Sequence, residues 1–279
     1  GQFRLAAIDP AQLTFTHITD AASVESPLTV DTSLTEVYWN SLNGQPLPAT
    51  LQEARDYADQ LEERYGVTIL LSAQAKDACD AVWDATITTT DQWPLEDEPY
   101  AIARTLEALD RALALYPEGF FRQMRNTMGE GGVRFMPVGH IENAVNAIGL
   151  TYETYGWQNI YIDVTIDAFD GTICHEIWHA IEGVLLTRNW DAINQEEWAA
   201  CNPAGFSYNE DAETPDSNPE RWTFFYEFSA QDVYFVDAYS RTNAKEDRAR
   251  IMEYIMATED VAGALVQSPA IAQKLQIMC

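Results

Sequence analysis

The sequence predicts an α+β fold, and three observations support this class. In the first two thirds of the 279 residues, segments with helical apolar spacing alternate with short apolar runs typical of strands. The last third is mostly helical in pattern, and the apolar content of 47% is ordinary for a globular chain with a sizeable core. No apolar run reaches the roughly 18 residues that a membrane-spanning helix needs, so no such segment is predicted.

The elements follow in order along the chain. Residues 1–44 are rich in Thr, Ser and Asp without periodicity, which predicts an N-terminal arm laid on a domain of residues 45–279. Apolar residues at helical spacing predict a helix over 50–65, and an apolar run predicts a strand over 67–71.

A second amphipathic helix is predicted over 102–113, stopped by Pro117. Apolar runs predict strands over 133–138 and 160–166. A helix rich in apolar residues on nearly all sides then follows, so it should be buried. For this helix, Asp167 or Asp170 with Thr172 supplies a start, and Gly183 or the polar run from Thr187 supplies an end.

This buried helix contains the most informative motif, His175-Glu176-Ile177-Trp178-His179. Two histidines at i and i+4 lie on one face, where their imidazoles can bind a single Zn²⁺. Glu176 lies beside the metal, where it can take a proton from a water that the metal acidifies. A chance match on a buried helix would leave three polar groups without partners, which is costly. Cys174 points off the metal face and is interpreted as a small buried hydrophobe.

Zinc needs a third protein ligand, with the fourth position left for water. The extended motif HExxHxxGxxH is excluded, because Leu185 stands where its third histidine would be. His17 and His140 lie upstream and are poor candidates. A carboxylate downstream of the motif is therefore the better choice.

Such a carboxylate lies in the run from Tyr239 to Glu246, YSRTNAKE, which precedes a predicted helix over 244–256. This YxRTNxxE run downstream of HExxH resembles the gluzincin-type zinc peptidases related to the catalytic domain of anthrax lethal factor. The resemblance implies that Glu246 is the third zinc ligand and that Tyr239 stabilises the transition state. It covers the HExxH helix and the chain from about Tyr239 onward.

The resemblance also implies a zincin-like fold, in which a cleft separates two subdomains. An upper subdomain of about residues 45–183 would carry a mixed, twisted sheet and the metal helix. A lower, mostly helical subdomain of about residues 184–279 would supply the third ligand. Zincins hold an extended substrate against an edge strand by backbone pairing. The segment 159–166 is the candidate edge strand, and an interior strand is the alternative.

Other interpretations of these residues stay open. Asn243 followed by Glu246 resembles a capping box, in which Glu246 would need no metal. Asp247 is a rival ligand at the adjacent position, and Tyr239 could be an ordinary half-buried tyrosine. Glu182, three residues after His179, could accept a hydrogen bond from a metal-bound histidine or could face solvent.

The net charge of −28 repels nucleic acid and anionic lipid surfaces, so no nucleic-acid partner is predicted. The acidic segment 202–219 is predicted to be a long loop that could overhang the cleft. Its acids could suit Ca²⁺, but it has no EF-hand spacing, and a solvated loop is the preferred interpretation.

Four scattered cysteines without a CxxC pair argue against a cysteine-based zinc site. They allow two disulfides without requiring any. The N terminus lacks Met and a signal peptide, which is typical of a trimmed or mature chain from which a lipid anchor could have been lost. An extracellular or cell-surface bacterial protein is the expectation.

These features together predict a zinc-dependent endopeptidase acting on a peptide or protein. Glu176 would be the general base and would later protonate the leaving amine. The alternative is a cell-surface binding protein with a catalytically idle zincin fold, and the intact Glu176 argues against it. Hydrolysis of a non-peptide amide is a third option that the metal chemistry permits.

Overall fold

The computed structural model describes residues 47–125, 128–143, 147–166, 170–208, 221–257 and 259–278. The predicted N-terminal arm, residues 1–44, lies outside these ranges. Eight α-helices and a mixed five-stranded sheet make up the described part, which confirms the α+β class. The helices are α1 Leu51–Tyr65, α2 Lys76–Asp80, α3 Glu98–Leu113, α4 Asp170–Arg188, α5 Gln195–Ala200, α6 Ala244–Ala257, α7 Glu259–Leu265 and α8 Pro269–Met278.

The sheet has the strand order β1-β3-β5-β4, and β2 pairs with the second half of β3. β3 is parallel to both β1 and β5, whereas β2 and β4 run antiparallel to their partners. The predicted strands at 67–71, 133–138 and 160–166 are present with shifted ends. The strands are β1 Thr68–Ile69, β2 Thr86–Thr89, β3 Gly132–Glu142, β4 Gly149–Thr154 and β5 Trp157–Asp163.

The candidate edge strand at 159–166 is wrong, because β5 lies between β3 and β4. A tight turn explains the difference. Tyr155 and Gly156 both have positive φ, of 49° and 81°, and they join β4 to β5 as a two-residue hairpin. Among the described residues, the unpredicted strand β4 therefore covers the side of β5 away from β3 and forms the edge of the sheet.

α1 and α3 pack against each other, and α3 also contacts α4. Thr50 and Glu53 form a capping box at the start of α1, so the predicted helix over 50–65 is confirmed. Arg111 of α3 makes two hydrogen bonds to Asp170, at 2.8 and 2.7 Å, and so attaches the first turn of α4 to this layer.

Helix α4 begins at Asp170, one of the predicted starts, and ends at Arg188, within the polar run from Thr187 that was one of the two predicted ends. It runs through Gly183, the other predicted end. A Cβ atom at Gly183 would lie 2.9 Å from Oε1 of Gln158 on β5. The glycine therefore allows the helix to approach the sheet closely, and it does not end the helix. Cys174 is fully buried, as its interpretation as a small hydrophobe requires.

The C-terminal third contains α5 to α8, and α6 confirms the predicted helix over 244–256. α6 packs against α4 and against a 3₁₀ turn, Tyr239–Arg241. The predicted boundary between the subdomains falls inside α4, and this division stays a prediction.

Within the described ranges, no helix is long and apolar enough to cross a membrane. Three cysteines of the described part, Cys79, Cys174 and Cys201, are buried free thiols.

Candidate metal centre

Three predicted ligand side chains converge at one point between α4 and α6. The His175 Nε2 atom lies 3.1 Å from Glu246 Oε2 and 3.1 Å from His179 Nε2. The His179 Nε2 atom lies 3.4 Å from the same Glu246 oxygen. Ligands at 2.0–2.1 Å from a tetrahedral Zn²⁺ would stand about 3.3 Å apart. The donor types and their spacing therefore fit a zinc ion.

Local structure explains how each ligand reaches this point. The two histidines lie one turn apart on α4. Asn243 caps α6, since its Oδ1 accepts hydrogen bonds from the backbone N–H groups of Lys245 and Glu246 at 2.9 and 3.0 Å. The cap fixes the first turn of α6 and presents the Glu246 carboxylate to the histidines.

The neighbouring Asp247 does not take part in this group. It is fully buried and pairs with Lys274 Nζ at 2.7 Å. The upstream His140 hydrogen bonds Asp163 at 3.0 Å, and His17 lies outside the described residues. Of the described residues, the structure therefore joins Glu246 to the two histidines, as predicted.

The electrostatics of the group favour a bound cation. Burial opposes ionisation of Glu246, but hydrogen bonds from His175 and His179 outweigh it and hold the pKa of Glu246 well below its usual range. Burial also opposes the charge on His175, but hydrogen bonds to Glu246 and Glu253 raise its pKa to about 10. Without metal, a proton on His175 thus supplies a positive charge to this group.

The predicted base, Glu176, lies in the same cavity as the three ligands. Its Oε2 accepts a hydrogen bond of 2.7 Å from the Thr151 hydroxyl, which also donates to the Glu176 backbone oxygen at 3.0 Å. A Cβ atom at Gly149 would lie 2.8 Å from both Cγ and Oε1 of Glu176. The edge strand β4 therefore holds the carboxylate in place and leaves room for it.

Tyr239 lines this cavity too, with its ring centroid 6.2 Å from that of His175. Burial and the charges of Glu246 and Glu176 raise the pKa of Tyr239 above its usual value. The phenol therefore keeps its proton at neutral pH, and it can donate a hydrogen bond to an oxygen beside the metal position.

Comparisons with known proteins add no identification: no family model, curated protein or solved structure matches the chain.

Both predicted roles of Glu182 are wrong. Glu182 is buried, and its carboxylate binds the guanidinium of Arg248 through two hydrogen bonds of 2.8 and 2.7 Å. The carboxylate at the Nδ1 atom of His175 is Glu253, whose Oε2 lies 3.1 Å away. Glu182 and Arg248 instead connect α4 to α6 close to the ligands.

The sequence analysis missed Thr151, Gly149, Glu253 and Arg248. Glu253 carried a usable signal, because it follows Glu246 by seven residues, which is two helical turns on one face. Thr151 and Gly149 belong to β4, a strand that was not predicted.

The ligands border a cavity of about 430 Å³, which adjoins a larger one of about 980 Å³. Both cavities are lined by Glu182, Leu186, Lys245 and Glu246. The larger cavity extends past the C-terminal end of α4 to Trp190, whose side chain is 82% exposed. The segment 202–219 was predicted to be a loop that could overhang the cleft. Most of it belongs to residues 209–220, which lie outside the described ranges.

Proposed function

We propose that the protein is a zinc-dependent endopeptidase whose metal is held by His175, His179 and Glu246. The observation that carries the proposal is the convergence of these three donor atoms with Glu176 in one cavity. The resemblance of the YxRTNxxE run to gluzincin-type peptidases supports the same ligand set.

A bound Zn²⁺ would supply Lewis acidity and an acidified water. Glu176 takes a proton from the attacking water and then delivers it to the leaving amine. Thr151 holds one oxygen of this carboxylate. Tyr239 donates a hydrogen bond to the substrate oxygen as negative charge develops on it.

The position of β4 favours a peptide substrate. β4 is an edge strand, and its residues Gly149, Leu150 and Thr151 line the metal cavity. An edge strand offers unpaired backbone groups to an extended chain. A substrate paired with β4 would therefore pass beside the base.

The alternative is a binding protein with an idle site. A metal that only stabilises the fold needs no base, whereas Glu176 is held in place by Thr151 and accommodated by Gly149. The extracellular location and the absence of a nucleic-acid partner stay predictions.

Zinc analysis and peptide-library cleavage test the proposal together. The purified protein should contain about one zinc per chain and should cut peptides internally. The Glu176→Gln variant should keep the metal and lose the cleavage. A wild-type protein that binds zinc and cuts no peptide would favour the binding protein, and a protein that takes up no zinc would contradict the zinc peptidase.

A further inference from the structure

We propose that Arg250 is a positioning residue that couples the metal ligand His175 to the turn carrying Tyr239. The roles of His175 and Tyr239 rest on the proposed function, whereas the coupling itself belongs to the fold. Arg250 lies on α6, one turn beyond Glu246, and its side chain is 19% exposed. Nothing in the sequence predicted a role for Arg250.

One half of the guanidinium acts on the metal ligand. Nη1 of Arg250 donates to Oε2 of Glu253, and this same oxygen lies 3.1 Å from Nδ1 of His175. A carboxylate at Nδ1 keeps the proton on that nitrogen and leaves Nε2 free for a metal. Arg250 thus holds the carboxylate that sets the tautomer and the orientation of the ring.

The other half of the guanidinium acts on the turn. Nη2 of Arg250 binds Asp237, whose Oδ1 accepts hydrogen bonds from the Ser240 backbone N–H at 3.0 Å and the Ser240 hydroxyl at 3.2 Å. These bonds hold the 3₁₀ turn that presents Tyr239 to the cavity. The guanidinium carbon also lies 6.0 Å from the centre of the Tyr239 ring.

The two halves work as a unit because one guanidinium pairs with both converging carboxylates, Asp237 and Glu253. Burial lowers the pKa of Arg250, but the charges of Asp237 and Glu253 outweigh it and raise the pKa above its usual value, so the bridge stays charged. The ring of Tyr254 lies 5.0 Å from the guanidinium carbon and encloses it on another side. A lysine could keep the charge, but its single ammonium lacks the planar fork that spans two partners.

The first measurement is zinc affinity, determined by competition with a chromophoric chelator. Arg250→Met should weaken zinc binding about 10- to 100-fold, the usual effect of removing support from a metal ligand. Glu253→Gln should cost a similar factor, and the double variant should lose no more than the larger single loss. Arg64→Met is the matched control, because Arg64 pairs with Asp110 away from the metal centre, and it should keep wild-type affinity.

The second measurement needs no metal. In the metal-free protein, amide hydrogen exchange over residues 237–242 should be faster in Arg250→Met than in wild type, and unchanged in Arg64→Met. Arg250→Lys retains the charge in case the Met variant does not fold, and it should differ from wild type in at least one of the two measurements.

The outcomes separate the two proposals. If the wild type takes up no zinc, the proposed function fails, and the exchange measurement still decides the coupling. Unchanged exchange over 237–242 in Arg250→Met overturns the coupling, and so does an Arg250→Lys variant that matches the wild type in both measurements. If the wild type binds zinc, an Arg250→Met variant with the same zinc affinity overturns the coupling as well.

Discussion

Two groups of buried charges flank the first turn of α6, and they differ in what they face. The metal group, His175, His179 and Glu246, opens on a cavity. The charges of the closed group, made of the pairs Lys274–Asp247 and Arg248–Glu182, face one another and are almost fully buried, although Glu182 also borders this cavity. Glu246 and Asp247 are neighbours in sequence, yet one step along the helix turns their side chains about 100° apart. That rotation separates a carboxylate available to a metal from one committed to the fold.

The protonation chemistry of the two carboxylates differs accordingly. The histidines hold the pKa of Glu246 below its usual range. Complete burial raises the pKa of Asp247, although Lys274 acts against this shift. Changes in the metal group should therefore alter activity and metal binding, whereas changes in the closed group should alter stability. The following predictions test this division.

Replacing the base should give the largest effect. Glu176→Gln removes the proton acceptor with little change of shape, so kcat/KM should fall about 10²- to 10⁴-fold. The melting temperature and zinc content should stay at wild-type values. Glu63→Gln, an exposed substitution on α1, is the control that should change neither. A Glu176→Gln enzyme with wild-type kcat/KM would contradict the assignment of the base.

Breaking the closed group should reduce stability. Lys274→Met leaves Asp247 buried without its cation, which should cost about 3–5 kcal/mol in the free energy of unfolding. Urea denaturation measures this loss. The double variant Lys274→Met/Asp247→Leu removes both charges and should recover much of it. Equal stabilities for the single and double variants would show that the pair is not the source of the loss.

Substituting the two neighbouring carboxylates compares the groups directly. Glu246→Ala removes a ligand and should weaken zinc binding at least about 100-fold, more than losses from outer-sphere partners. Asp247→Asn should change zinc affinity far less and should lower stability instead. If Glu246 only capped the helix, its loss would cost about 0.5–2 kcal/mol of stability and leave zinc binding intact. Chelator competition and urea denaturation on both variants distinguish these cases.

The sequence predicted the parts of the site that depend on local spacing. His175 and His179 are one turn apart, so their common face follows from the helix period alone. The prediction of Glu246 as a ligand depended on the resemblance to gluzincin-type peptidases, because an acid after Asn243 is equally typical of a helix cap.

Contacts between residues far apart in the chain could not be predicted from the sequence. The Lys274–Asp247 pair joins residues 27 positions apart, and no local pattern marks it. β4 was missed because it begins with Gly149, which is unfavourable in strands. The reason for that glycine is the side chain of Glu176, which belongs to another element. The sequence left the helix end open between Gly183 and the polar run from Thr187 for the same kind of reason, since the contact of Gly183 with Gln158 exists only in the folded chain.

The smallest predicted effect concerns protons released when zinc binds. Hydrogen bonds to Glu246 and Glu253 outweigh the effect of burial and raise the pKa of His175 to about 10, whereas an unfolded histidine has a pKa of about 6.5. In the metal-free protein, charged His175 therefore contributes stability that is fully present below about pH 6.5 and is lost as the pH rises through 10.

Zinc requires the neutral ring, so binding near pH 7.5 should release about one proton from His175. Glu246 should release none, because the histidines keep it ionised. Zinc affinity should then rise about tenfold per pH unit over this window and level off above pH 10.

Titration calorimetry in two buffers of different ionisation enthalpy counts the released protons. The Asp247→Asn variant should release the same number of protons, because no member of the closed group is a metal ligand. Zinc binding without proton release would show that His175 is already neutral, and that its contacts with Glu246 and Glu253 do not hold a proton.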